Sequence, residues 1–154
     1  MRCPSCAARD QLGAPRLLEG PPPRGEHPDI DVVRRVFQLL ERGQVDQMIT
    51  FLSDDFEGRP MSKPVVVKGR QEADAFVRTA NEGERSLEPS VYRFERNGRG
   101  QVGVFGRLRV LGPDGLVDTQ AAWVYWVRDG KIVRADSFTS MEQAHRALYD
   151  TPPA

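Results

Sequence analysis

The sequence predicts an α+β domain, a curved, cone-shaped, barrel-like antiparallel sheet with helices packed on its concave face. Three observations carry this. Residues 29–80 place apolar side chains at helical spacings, residues 87–139 alternate with a period of two, and three short separators rich in Gly divide the second stretch. Each separator is short enough to force antiparallel neighbours, and helices followed by a long meander is an α+β order. Strands of ten or more residues twist, so the sheet is expected to curl around the helices and enclose a hollow.

The elements follow in order. Residues 1–28 hold six prolines among glycines and charges, too little apolar surface to offset the entropy of ordering, and read as a leader ahead of one domain at 29–150. A first amphipathic helix starts at Asp29 or Asp31, either able to cap it, and carries Ile30, Val33, Val36, Phe37 and Leu40 to a stop at Gly43. A second, shorter helix spans Asp46 to Leu52. Residues 56–67 read as irregular because Pro60 and Pro64 forbid a central strand, with Val65–Val67 as a short edge strand. A third helix runs from Gln71 to Ala80. Strands at Leu87–Arg96, Gln101–Leu111, Leu116–Arg128 and Lys131–Thr139 make a four-stranded meander, whose last turn, Asp129-Gly130, suits a type I′ hairpin. Ser140-Met141-Glu142-Gln143 reads as a capping box for a final helix, Met141 to Tyr149.

Composition narrows the function. Lys+Arg and Asp+Glu balance at 22 each, so nothing draws the chain to nucleic acid or an anionic membrane. No apolar stretch reaches a membrane span or resembles a signal peptide, which makes the cytoplasm the default expectation. Only Lys63, Lys68 and Lys131 are lysines, and the bias to Arg, Ala, Gly and Pro is that of a GC-rich bacterial genome. Cys3 and Cys6 form a single CxxC without the further ligands a zinc site needs, so no metal site and no cofactor are expected, and capture of a metal or protein by the leader is the minor reading. Gly98-Arg99-Gly100 and Gly103 lie in and after a hairpin turn, not between strand and helix, and carry no phosphate-binding fingerprint.

Four segments in this order, VFQLLERGQVDQM, SDDFEGRP, GRQEADAF and WVYWVRDGKIVRADSF, resemble the nuclear-transport-factor-2-like superfamily and its SnoaL-like branch over residues 31–148. The resemblance implies a homodimer formed through the outer sheet face, and an activity that the fold leaves open among isomerases, cyclases, epoxide hydrolases, dehydratases and binding modules. Its catalytic positions do not carry over. Val36, Arg59 and Trp123 stand where the resembling steroid isomerases have a tyrosine and two aspartates. Ser137 stands where the cyclases have an aspartate, and Arg107-Leu108-Arg109 replaces the Arg-x-Asp of the epoxide hydrolases. Asp136 points away from the Ser137 side if the strand is regular, and a one-residue slip exchanges the two.

The same alignment puts Thr119, Ala121, Trp123 and Tyr125, with Val133, Ala135, Ser137 and Thr139, on the pocket face. This wall suits a flat apolar ligand oriented by the Tyr125 and Ser137 hydroxyls, and it is equally an ordinary aromatic core. Glu57 and Arg59 are expected at the pocket mouth, where they either bind a polar ligand head or are solvated. Trp126, with Ala122 and Val124, is expected on the outer face as a dimer contact. Asp136 beside Arg134 or Arg107 is either a structural ion pair or, with Tyr125 or Arg107 polarising the substrate, the base of a cofactor-independent isomerase, cyclase or hydrolase acting on a polyketide- or steroid-like substrate. His145, three residues after Glu142, reads as a surface residue.

Overall fold

The computed structural model describes residues 27–61 and 64–149, so the leader with its Cys3–Cys6 motif lies outside the described residues up to His27. Helix α1, Pro28–Glu41, starts ahead of both expected caps, Asp29 and Asp31. His27 is the N-cap, its ring nitrogen accepting from the Asp29 N–H, and Pro28 occupies the first turn, where a missing N–H costs nothing. Gly43 closes the helix in the left-handed region at φ 72°, with the Gln44 N–H returning to the Leu39 carbonyl.

Helix α2 is shorter than expected, Val45–Ile49, because Leu52 already belongs to a strand. That strand, β1 (Leu52–Arg59), corrects the reading of Phe56 onward as irregular. It lies between β2 (Val67–Lys68), which pairs with it as a short antiparallel edge, and β6 (Lys131–Phe138), with which it runs parallel. Helix α3 spans Gly69–Ala80. The meander is as expected: β3 (Ser86–Arg96), β4 (Gln101–Gly112), β5 (Gly115–Arg128) and β6. The sheet has six strands in the order β2-β1-β6-β5-β4-β3, curved and unclosed, and antiparallel except at β1–β6. Asp129 and Gly130 both hold positive φ, 53° and 76°, the backbone a type I′ turn demands.

Helices occupy both faces of the sheet, a second correction. Helices α1 to α3 cover the concave face around Val33, Phe37, Trp123, Tyr125 and Ile132. The last helix, α4 (Met141–Tyr149), packs Ala144 and Leu148 against Phe105, Ala122, Val124 and Trp126 on the convex face. Trp126, expected to be exposed for a dimer, is therefore only 4% exposed, with the Arg134 guanidinium 4.6 Å from its ring centre. Large side chains left exposed among the described residues include Leu111 and Leu116, paired near the β4–β5 turn, and Tyr149 of α4. Among the described residues no helix is long and apolar enough to cross a membrane.

Polar contacts hold α4 at both ends. The Ser140 hydroxyl accepts from the Gln143 N–H, as the capping box requires. At the other end the β3–β4 turn reaches over: Asn97 Nδ2 donates to the Leu148 carbonyl and Arg99 to the Leu148 and Tyr149 carbonyls. His145 stacks on Phe105 at 4.8 Å while Tyr149 donates to Glu95 at 2.6 Å. Partial burial raises the Glu95 pKa, but the Tyr149 hydrogen bond and the positive charge of Arg93 and His145 outweigh it, leaving the carboxyl below its ordinary 4.5.

Two predictions follow from these contacts. A Cβ at Gly106 would overlap the Ser90 backbone carbonyl, whereas one at Gly112 meets nothing. Urea denaturation should show Gly106→Ala destabilised by about 3 kcal/mol and Gly112→Ala within about 0.5 kcal/mol of the parent. Because the Glu95 pKa is lowered on folding, its contribution is present above about pH 4.5 and lost as pH falls through the folded value. The Tm advantage over Glu95→Gln should be full near about pH 6 and shrink toward zero near about pH 3.

Candidate functional site

The concave face does not fill completely. A cavity of about 160 Å³, partly open to solvent, remains between the sheet and α1 to α3. Small residues leave the room: Gly58, Ala73 and Ala135 stand on its wall, and the Phe56 ring already approaches to 3.1 Å of where a Gly58 Cβ would lie. Helices contribute apolar side chains only, among them Val36, Leu40 and Val77, and the sheet contributes Trp123, Tyr125 and Ser137.

The aromatic wall is set by alternation on β5 and by Phe37 from α1. Trp123 and Tyr125 are two residues apart and share a face, and Phe37 meets both edge to face, at 5.2 and 5.8 Å between ring centres. Ser137 pairs directly with Trp123, and Ala135 with Tyr125. Tyr125 is 93% buried, by its 7% exposure, and burial pushes its phenol well above the ordinary pKa of 10. Among the described residues the Tyr125 hydroxyl, the Ser137 hydroxyl and the Trp123 N–H make no hydrogen bond. No Asp, Glu, His or Cys among the described residues lines the cavity.

The structure divides the predicted site residues between two faces. Trp123, Tyr125, Ala135 and Ser137 line the cavity together. Val133 does not, because a β-bulge between Trp126/Val127 and their β6 partners turns it toward Phe105 and Ala122 on the convex side, which corrects its placement on the pocket face. Asp136 pairs with Val124, a convex-core residue, and accepts two hydrogen bonds from Arg134, at 3.1 and 2.8 Å. That bond raises the Arg134 pKa and fixes the guanidinium over Trp126. Glu57 and Arg59 pair with each other at 3.2 Å, and the Arg59 guanidinium lies 3.6 Å from Asp136, so both side chains join the convex ion network although residue 59 borders the cavity. Arg107 is on the convex face too, bonded to Asp118 at 2.9 Å. Of the helical lining, only Val36 was singled out from the sequence, at a catalytic position of the resembling isomerases; Leu40, Phe76 and Val77 were not. Its signal is an apolar stripe, identical to that of any core helix.

The SnoaL-like domain profile matches residues 33–135, and the chain belongs to that family. Solved structures agree on the fold. A proposed SnoaL-like polyketide cyclase from Jannaschia sp. CCS1 superposes with a TM-score of 0.64 at 22% identity, covering 88% of this chain and 99% of that one. An LEH-like epoxide hydrolase of M. tuberculosis gives 0.64 at 17% identity, covering 80% and 91%. TerC, co-crystallised with polyporic acid, gives 0.63 at 18% identity, covering 79% and 98%. No curated protein matches the sequence.

Since the Asp136 carboxylate serves Arg134 and not the cavity, Asp136→Asn should lower stability by about 1–2 kcal/mol in urea denaturation. The same variant should leave the affinity of a cavity ligand within about twofold of the parent.

Proposed function

We propose that this SnoaL-like protein binds a small, flat, apolar or aromatic molecule in the cone cavity without acid–base chemistry upon it. One observation supports this above the others. Among the described residues the cavity presents aromatic faces and hydroxyl and indole donors without a protein partner, and no carboxylate or imidazole. General acid–base catalysis needs a titratable group within hydrogen-bond reach of the substrate. Asp136, the acid on which a cyclase, isomerase or hydrolase reading depends, spends both oxygens on Arg134, two residues before it on the same strand. The size fits the reading, since an apolar cavity of about 150 Å³ suffices to hold benzene. The epoxide hydrolase and TerC neighbours illustrate that this architecture serves more than one use, so the lining residues decide.

Isothermal titration with toluene tests the proposal. The parent should bind with a negative heat-capacity change, the mark of apolar burial. Ala135→Leu, which puts a larger side chain into the cavity, should weaken binding at least about tenfold. Toluene binding that ignores this substitution, or no binding by the parent, contradicts the proposal.

A further inference from the structure

We infer that the convex core beneath α4 has a built site for a single water molecule, which accepts hydrogen bonds from the Gln101 side-chain amide and the Trp126 indole N–H and ties the last turn of α4 to β4 and β5. The site lies across the sheet from the cone cavity and does not depend on what the cavity binds.

Two buried donors on one face carry the inference. Gln101 is fully buried and Trp126 is 4% exposed. Gln101 Nε2 and Trp126 Nε1 are both buried atoms without a hydrogen-bond partner among the described residues. The two residues stand directly opposite each other on β4 and β5. Cβ atoms of such a pair lie about 4.5–5.5 Å apart, so two long side chains on the same face can share one acceptor.

The orientation of the Gln101 amide is forced by its neighbours. Asn97 Oδ1 accepts from the Arg99 and Gln101 backbone N–H groups. Asn97 Nδ2 is therefore the donor to the Leu148 carbonyl and to Gln101 Oε1. Turning the Gln101 amide over would set one amide nitrogen against another. Gln101 Nε2 must find its acceptor elsewhere, and a buried donor that finds none loses its hydration uncompensated.

Chemistry and space select the occupant. Two converging donors repel a cation. An anion would sit near the carbonyl end of α4, the negative end of a helix, and on the same face as the buried Asp136 carboxylate. The guanidinium groups that could offset this are committed, Arg99 to the Leu148 and Tyr149 carbonyls and Arg134 to Asp136. Water accepts from both donors and keeps its own protons for carbonyl oxygens; a buried water typically makes about three hydrogen bonds. The surrounding packing is tight. At Gly103, two residues from Gln101 on the same face, a Cβ would come within 2.9 Å of Leu148 Cδ2 and 3.0 Å of the Phe105 ring.

High-resolution crystal structures of the full chain, the Gln101→Leu variant and the Trp126→Phe variant test the inference, with crystals grown in bromide to reveal a halide by its anomalous signal. The parent should show one solvent peak without anomalous signal within about 3.2 Å of both nitrogens, and whichever variant crystallises should lose it. In solution, a rotating-frame cross-peak from water to the Trp126 indole proton, opposite in sign to an exchange peak, should be present in the parent and lost in Gln101→Leu. The inference is overturned if the parent shows no solvent peak shared by the two nitrogens, if the peak carries bromide signal or belongs to a protein atom, or if it persists unchanged in a variant.

Discussion

Strand β5 is buried on both faces from Ala121 to Val127, and the rest of the molecule is arranged around that constraint. Its odd-numbered residues, Ala121, Trp123, Tyr125 and Val127, join the concave core under α1 to α3. Its even-numbered ones, Ala122, Val124 and Trp126, join the convex core under α4. Side chains alternate along a strand, so a slip of one residue would exchange both sets and ruin two cores at once. The register of β5 thus fixes the placing of every chemically interesting group on β6. Ser137, opposite Trp123, is turned into the cavity, and Asp136, opposite Val124, is turned out of it.

The same partition sorts charge from apolar surface. On the convex side Glu57 and Arg59 of β1 stand beside Arg134 and Asp136 of β6, two anions and two cations in register across the sheet's one parallel pair. The half-exposed Glu57–Arg59 pair contributes modestly, and Asp136 is the buried member of the group. Their greater effect is negative: they account for the acids and guanidinium groups nearest the pocket. Among the described residues the concave side is left with aromatic faces, hydroxyls and an indole.

Much of this was legible in the sequence, for reasons that differ by element. The meander was plain because runs rich in β-branched and aromatic residues are divided by turns that carry Gly where positive φ is needed, as at Asp129-Gly130. Strand β1 was not, because Ser53-Asp54-Asp55 looks like a break. Only Leu52, Phe56 and Gly58 of its eight residues are buried, and the register against β6 shifts between Leu52 and Glu57. The amphipathic stripe of α4 showed that it packs, but a stripe does not name the face it covers, and Trp126 looked exposed for that reason. In the site, alternation placed Trp123, Tyr125 and Ser137 together, while the bulge that removes Val133 has no mark in VRADSF. Arg107 was grouped with Asp136 by position along the chain, and the structure gives it Asp118 on the neighbouring strand instead.

The central claim is that ligands enter the concave cavity beside Trp123 and Tyr125. The most direct test is an NMR measurement of intermolecular NOEs from toluene to assigned methyl groups. The account predicts NOEs to Val36, Leu40 and Val77, which line the cavity, and none to Val124 or Leu148, which fill the convex core. NOEs confined to convex or exposed methyls such as those of Leu116 would contradict it.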